Sequence, residues 1–429
     1  MRFLSHFSMA VALATAGTLA ITALPQDAQA AKKKKEKKPA KVQFSKEFSA
    51  AAGPVQTAVN DANPQAKALV EQLLAGPWTG ADADFAGQLA INLGSTLKDT
   101  KLQEDGVNKR IEAGMLAPAD NTKMLFYSGS FARGRGDYAA AEKQLLAAIA
   151  GGYEGSAAHL ELANTYASLK SHAKSLHYLG QAIEIQNATG SAAPEDWYRA
   201  SRDRAFATSD KALYAQWAAK WAEAYPSPES WSDAITAYRY KKLSNTEENL
   251  EVLRFMKASG ALTKFRDYKE YAEEANKKNN FGEIVDVLED GRLKGVIEAS
   301  NPIVSELLVP NKGKITGDRA SLPTSPGSVR GSGSASVMMN YGDIWFGYED
   351  YAKATVFYEA GMAKSGADMD RGNIGVGTVK AFAGDLAGAK AAFDKVNGTR
   401  APLAKLWKAW IGQQNKPAAP AAVAAEPAT

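Results

Sequence analysis

Two 34-residue segments that follow one another without a gap decide the fold of this chain. Residues 122–155 read TKMLFYSGSFARGRGDYAAAEKQLLAAIAGGYEG, and residues 156–189 read SAAHLELANTYASLKSHAKSLHYLGQAIEIQNAT. Small and large apolar side chains recur at matched places, and the clearest pairs are Gly129 with Ala163, Ala141 with Ser175, Leu145 with Leu179 and Ala148 with Ala182. A fixed period of this length indicates a repeat architecture.

The same pattern returns near the C-terminus with a spacing of 35 residues. The matched positions are Gly342 and Gly377, Trp345 and Lys380, Tyr351 and Leu386, Ala354 and Ala389, and Tyr358 and Phe393. The segment 384–396, GDLAGAKAAFDKV, repeats the chemistry of 136–149, GDYAAAEKQLLAAI. The chain therefore contains at least four related units.

The spacing predicts two amphipathic helices per unit, joined by a short turn near Gly136, Lys170, Glu349 or Gly384. The small residues would let the two helices cross closely, and the larger ones would fill the gaps between them. A single helix pair cannot bury its apolar stripe, so we expect the pairs to stack on one another. Alternating strand patterns are nearly absent, and the predicted class is all-α.

These units resemble the tetratricopeptide repeat (TPR) family in both period and residue types. The resemblance implies a solenoid of α-α hairpins wound into a right-handed superhelix, divergent in the middle of the chain. Ala132 and Lys380 stand where the family favours an aromatic residue, and His172 replaces its usual tyrosine. The exported N-terminus together with divergent repeats also resembles uncharacterised exported TPR proteins of alphaproteobacteria.

The resemblance also implies which side chains bind a partner. In the family, the first helix of each repeat lines a concave groove at its second, fifth, ninth and twelfth positions. The matching residues here are Lys123, Phe126, Ser130 and Arg133 in the first unit, Asn164 in the second, Asp343 and Phe346 in the third, and Arg371 in the fourth. Phe126 and Ser130 do not match the family's clamp for a peptide carboxylate, so the implied ligand is a protein or peptide of another kind.

The first 30 residues predict a secretory signal peptide. Arg2 precedes an apolar stretch from Met9 to Leu24, and Ala28-Gln29-Ala30 forms an A-x-A cleavage site. We therefore expect a periplasmic or secreted protein after cleavage near Ala30. The lysines that follow the site resist translocation, so a segment retained as an anchor is the alternative.

Residues 31–44 predict a disordered, lysine-rich arm. Lys32–Lys41 contains seven lysines and one glutamate, and the chain beyond both N-terminal segments has 43 basic and 45 acidic groups. The formal charge of +4 is thus a property of the arm. Such an arm is suited to contact with an anionic envelope surface. Export and the absence of aromatic residues in the run argue against nucleic acid.

The remaining chain divides by composition. We expect a helical-repeat region over 45–310, a Gly/Ser/Pro linker or hinge over 311–336, repeats with a capping helix over 337–412, and a Pro/Ala-rich disordered tail over 413–429. Further helices are predicted at 45–60, 64–75, 83–99, 101–115, 194–209, 211–225, 229–240, 245–259, 265–277 and 281–290. Trp407 and Trp410 are predicted to form the apolar face of the capping helix.

No recognisable catalytic constellation occurs, because HExxH, GxSxG and phosphate-loop motifs are all absent. We therefore predict no catalytic residues, no cofactor and no metal site, with His159, His172 and His177 serving packing or surface roles. The leading function is a scaffold for protein or peptide partners in the cell envelope. The alternative is a cell-wall or polysaccharide-handling factor whose 39 aromatic residues include a glycan-binding surface.

Overall fold

The computed structural model describes residues 43–239, 246–329 and 333–414. The predicted signal peptide, nearly all of the lysine-rich arm and residues 415–429 lie outside the described residues. Within the described ranges the secondary structure consists of helices and turns, without a β-strand. The prediction of an all-α chain built from helical hairpins is confirmed.

The chain forms two compact units, which divide between Thr189 and Gly190. Unit 1 contains eight helices in its described part, followed here in chain order: α1 Lys46–Asn60, α2 Ala66–Leu74, α3 Gly80–Leu97, α4 Thr100–Ala113, α5 Pro118–Gly134, α6 Tyr138–Ala150, α7 Ala157–Ser168 and α8 His172–Ala188. The two repeats that define the period are the hairpins α5–α6 and α7–α8.

Unit 2 contains the other twelve described α-helices: α9 Glu195–Ala207, α10 Lys211–Ala224, α11 Pro228–Arg239, α12 Thr246–Ala258, α13 Phe265–Lys277, α14 Phe281–Leu293, α15 Val309–Ser321, α16 Ala335–Gly347, α17 Tyr351–Met362, α18 Met369–Phe382, α19 Leu386–Phe393 and α20 Ala401–Gln414. A π-helical turn, Val304–Leu308, leads into α15, and short 3-10 turns lie at Pro326–Ser328 and Gly398–Arg400. The C-terminal repeats are the hairpins α16–α17 and α18–α19.

One turn recurs between the helices of seven hairpins in the described chain. A residue with positive φ is followed by a polar residue at the N-cap of the second helix, at 98–99, 136–137, 170–171, 209–210, 279–280, 349–350 and 384–385. In the first TPR-like unit, Gly136 has φ +86°, and the Asp137 carboxylate accepts a hydrogen bond of 3.1 Å from the Ala140 N–H. The turn ends one helix and caps the next, which explains why it survives where the apolar repeat pattern fades.

The small residues of the repeats lie where the paired helices cross. A methyl group added at Gly129 would lie 2.7 Å from Leu145, and one added at Gly377 would lie 2.5 Å from the ring of Phe393. Gly342 is in the same relation to the ring of Tyr358. In each case the large residue lies sixteen positions after the glycine, so one steric rule applies to both the 34- and the 35-residue repeats.

Unit 2 turns back on itself. Besides the contacts of successive hairpins, α18 contacts α12, α16 contacts α14, and α20 contacts both α10 and α11. Trp407 on α20 is fully buried, stacks on Phe393 at 5.2 Å and contacts Phe255 of α12 at 4.9 Å. The predicted capping helix therefore covers earlier helices of the unit as well as the last repeat.

The expected linker at 311–336 is corrected in its first half, which is helical. Pro310 stands in the first turn of α15, where the missing N–H is tolerated, and Ile315 and Leu322 pack against the core of the C-terminal repeats. The Tyr348 hydroxyl donates a 2.6 Å hydrogen bond to Asp318. These contacts hold the segment against the unit. Composition alone indicated a loop because the segment contains several glycines.

Candidate functional site

Four of the predicted groove residues lie on neighbouring first helices of unit 1. On α5, the Lys123 side chain is 60% exposed, whereas Phe126 is buried and stacks on Tyr153 with ring centroids 4.6 Å apart. Arg133 of α5 pairs with Glu161 of α7, and Asn164 is half-buried on α7. The α5 and α7 faces are thus joined by an ion pair, with Lys123 as their most accessible charge.

A cleft of about 430 Å³ lies beside this face, between the N-terminal end of α4 and the C-terminal end of α5. We call it the α4–α5 cleft, and its lining residues are Thr100, Lys101, Glu104, Ser130, Phe131, Gly134 and Arg135. Arg135 pairs with Glu104 across the cleft, and Lys101 pairs with Asp105. The Ser130 hydroxyl is shielded from solvent and has no hydrogen-bond partner among the residues that the structure describes.

A buried hydroxyl without a partner is a costly exception, of about 1–3 kcal/mol. Ser130 occupies the ninth position of the first helix in its repeat, one of the places where the TPR resemblance expects a ligand contact. The repeat pattern singled out this residue, but its orphaned hydroxyl is visible only in three dimensions. Ser130 lines the α4–α5 cleft, so a rotation of its side chain would be needed to bring the hydroxyl to a bound chain.

In unit 2 the structure brings Asp343, Phe346 and Arg371 together around a residue that sequence reasoning missed. The Arg254 guanidinium, from α12, donates to Asp343 at 2.6 Å and lies 4.7 Å from the ring centre of Phe346. Arg371 donates to the other oxygen of Asp343 at 2.8 Å. The inner face of α16 and α18 is therefore filled by α12 of the same unit.

The second partner of Arg254 is Glu283 on α14, which it binds with two hydrogen bonds of 2.7 and 2.8 Å. The Tyr271 hydroxyl also donates to Glu283, and the Tyr358 hydroxyl donates to Asp343. We call this set of five residues, Arg254, Tyr271, Glu283, Asp343 and Tyr358, the Arg254 network. Its members come from α12, α13, α14, α16 and α17.

The charges in this network are fixed by their neighbours. Burial alone would raise the pKa of Asp343, but Arg254 and Arg371 outweigh it and hold the pKa of that carboxyl below its usual range. Burial together with the Asp343 carboxylate raises the pKa of Tyr358 well above its ordinary value. At neutral pH Asp343 is therefore ionised and Tyr358 is a neutral donor, so the hydrogen bond between them is charge-assisted.

A second buried ion pair adjoins the Arg254 network. The Arg400 guanidinium, just before α20, donates to both carboxylate oxygens of Glu251 on α12, at 3.0 and 2.8 Å. Its other arm donates to Asp368 at 3.0 Å. Burial raises the pKa of Glu251 to about 7, against the opposing effect of Arg400.

The space among these groups is small. Glu247, Lys278, Thr378 and the charged residues of the cluster enclose a cavity of about 10 Å³, near the minimum for a single water. Asp343, Phe346 and Arg371 are thus bound to the chain's own residues, and this cluster is suited to joining helices. The α4–α5 cleft is suited to receiving a ligand.

Two further chemical possibilities bear on the site. Among the described residues, no group of three or more His, Asp or Glu side chains is arranged to hold a metal ion. His159 and His177 flank the ring of Tyr178, and His159 has a lowered pKa because it is partly buried.

Most described aromatic rings pack inside the units, and Phe44 and Phe206 are the exposed phenylalanines there. The described surface thus presents no broad aromatic platform for a glycan.

In the described ranges, no helix combines the length and the apolar character needed to cross a bilayer.

Comparison with known proteins found no matching family and no matching curated protein. Similar solved structures include a tetratricopeptide repeat protein from Parabacteroides merdae, which is 12% identical, with 70% of this chain and 99% of that chain covered at a TM-score of 0.30. Another is the APC/C hetero-tetramer Cut9–Hcn1, at 11% identity, 78% and 68% coverage and a TM-score of 0.25. The TPR domain of P58(IPK) is 11% identical, with 86% and 100% coverage and a TM-score of 0.21. With scores this low, we take the fold from the chain's own hairpins.

Proposed function

We propose that this protein is a non-catalytic helical-repeat scaffold of the cell envelope, which binds a protein or peptide partner in the α4–α5 cleft of unit 1. The observation that supports it most directly is the Ser130 hydroxyl at this cleft, which is shielded from water and has no partner within the described part of the chain. In the proposed complex the Ser130 side chain rotates toward the cleft, and a backbone amide of the bound segment donates to its hydroxyl.

The chemistry of the cleft favours an extended polypeptide over a compact apolar ligand. Phe131 offers an apolar wall, while Lys101, Glu104 and Arg135 give both signs of charge at the rim. An extended peptide presents an N–H and a C=O at each residue, and its side chains alternate between the two sides. One side would meet the wall and the other the charges.

The direct test is photo-crosslinking in living cells, with a photoreactive amino acid in place of Lys101 at the cleft. The matched control is the same replacement at Lys143, an exposed lysine on α6 of the same unit. We expect a discrete protein adduct from position 101 and none from position 143, identified by mass spectrometry. Equal adducts from the two positions would show that the cleft is not the binding surface.

Two variants at Ser130 connect that adduct to the hydroxyl. Ser130→Tyr should fill the cleft and remove the adduct at position 101. Ser130→Ala removes the hydroxyl without adding volume and should weaken partner affinity about 2- to 10-fold, the range of one hydrogen bond. Circular dichroism confirms that each variant is folded. An unchanged affinity in folded Ser130→Ala would remove the hydroxyl from the proposed site.

The envelope location rests on residues 1–30 and on the Lys32–Lys41 run. Cell fractionation followed by N-terminal sequencing tests the first: we expect a mature protein beginning near residue 31, and a protein still beginning at Met1 would contradict cleavage. Deleting Lys32–Lys41 tests the second, since binding to anionic vesicles should be lost with the run and should weaken steeply with salt.

A further inference from the structure

Unit 2 contains an apolar groove that shares no residue with the α4–α5 cleft of unit 1. It lies between α10, α11 and α20, has a volume of about 410 Å³, and is lined chiefly by Ala215, Ala219, Ala234, Tyr238, Leu406 and Ala409. We call it the α10–α20 groove. Its floor is buried, since Ala234, Tyr238 and Leu406 are each at most 5% exposed.

The walls are made of small side chains with charged residues only at the rim. Ala215 and Ala219 are one turn apart on α10, and the alanine at 409 faces them from α20. Side chains this short allow the backbone of a bound segment to approach closely, provided that the segment also has small side chains. The rim contains Lys220 and Glu223 on α10 and Lys405 on α20. A matching ligand would be a small-residue, mainly apolar segment with few charges.

We infer that the occupant of the α10–α20 groove is the segment 415–429 of the same chain. This segment, NKPAAPAAVAAEPAT, contains seven alanines, three prolines and one valine among its fifteen residues. Its size and polarity match the groove. It is joined directly to α20, the helix that forms one wall.

Segment 415–429 leaves α20 at the end of the groove where α10 also ends. The Gln413 side chain donates to the backbone carbonyl of Glu223, which fixes the end of α20 beside the end of α10. From Gln414 back to Pro402 the helix covers about 18 Å, and fifteen residues can span up to about 50 Å. The segment is therefore long enough to return along the whole groove.

Attachment strengthens the binding without new contacts. A tethered segment meets its groove at an effective concentration in the millimolar range, so modest affinity suffices for occupancy. It follows that binding within one chain is independent of protein concentration. Binding between two copies would rise with concentration.

The chain lacks cysteine, so engineered cysteines report on this contact alone. We would pair Ala219→Cys in the groove with a cysteine at Ala419, Ala422 or Ala425, in three separate full-length variants. The control pairs the same tail cysteines with Val356→Cys, on the exposed face of α17. For at least one tail position, an intrachain disulfide should form at least 10-fold faster with Ala219→Cys than with the control.

Two further measurements test whether the tail segment itself occupies the groove. An added peptide of sequence 415–429 should slow the Ala219→Cys disulfide, and a groove-filling Ala215→Phe variant, if folded, should do the same. Equal rates for the groove and control pairs would overturn the inference, as would no effect of the peptide. Disulfide-linked dimers whose yield rises with protein concentration would assign the groove to a second copy instead.

Discussion

Gly377 is a position where an added methyl group has little room. The added carbon would lie 2.5 Å from the Phe393 ring, inside the interface of α18 and α19. We expect Gly377→Ala to lower the free energy of unfolding by about 1–3 kcal/mol, because overpacking forces the helices apart. Gly412→Ala on α20 is the control, with nothing within 4 Å of the added carbon, and it should be neutral or stabilising. Urea unfolding followed by circular dichroism measures both, and equal effects would contradict the close crossing.

Glu251 makes stability depend on pH. Burial raises its pKa to about 7, whereas in the unfolded chain a glutamate titrates near 4.3. The folded state therefore holds the proton more tightly, so the free energy of unfolding should fall as the pH rises from about 4.5 to about 7.

The Glu251→Gln variant removes this titration. Near pH 5, where folded Glu251 is protonated, the variant and the wild type should have similar stability, and the change of the variant between pH 5 and pH 8 should be smaller by about 1–3 kcal/mol. Chemical unfolding at several pH values gives both curves. Parallel curves for the variant and the wild type would show that Glu251 does not titrate in this window.

The sequence predicted the helix positions of several site residues but not the residues that they contact. It placed Asp343 and Arg371 on the inner faces of first helices, and the structure puts both on α16 and α18. It did not identify Arg254, because that residue lies 89 positions before Asp343 in a helix without a clear repeat signature. A contact of that separation leaves no local periodicity. Ser130 was on the predicted face, yet the lack of a partner for its hydroxyl depends on the surrounding helices.

At the scale of elements, the Arg254 network joins helices that successive hairpins would not connect. Removing the cation would leave Glu283 and Asp343 buried without it. We expect Arg254→Ala to lower the free energy of unfolding by about 3–5 kcal/mol. Arg292→Ala, which loses an exposed pair with Glu289, should cost at most about 1 kcal/mol. Equal losses would mean that burial of the network contributes little.

The helix boundaries show what local pattern can determine. Predicted segments such as 265–277 agree with the structure, because amphipathic periodicity and turn residues are both local signals. For α15 these signals fail. Its two internal glycines and few apolar residues favour a loop. The helix is held by contacts to α14 and by the hydrogen bond from Tyr348 to Asp318. Tertiary packing overrides propensity at this point.

For the whole molecule, the division at Thr189 and Gly190 predicts two cooperative unfolding events. Calorimetry of the full chain should resolve two transitions. Gly377→Ala should lower the midpoint of one, and a matching Gly129→Ala in unit 1 should lower the other, because its added carbon meets Leu145 at 2.7 Å. A single transition shifted by both substitutions would show that the units unfold together.

The ion pair of Arg400 with Glu251 has a consequence for biosynthesis. Its two ends are separated by 149 residues. At a ribosomal rate of about 5–20 residues per second, Glu251 waits roughly 7–30 seconds for its partner to be made. Until then the helix that covers this side of α12 has not been made, so the contacts of α12 with α20, such as Phe255 with Trp407, form only at the end of synthesis.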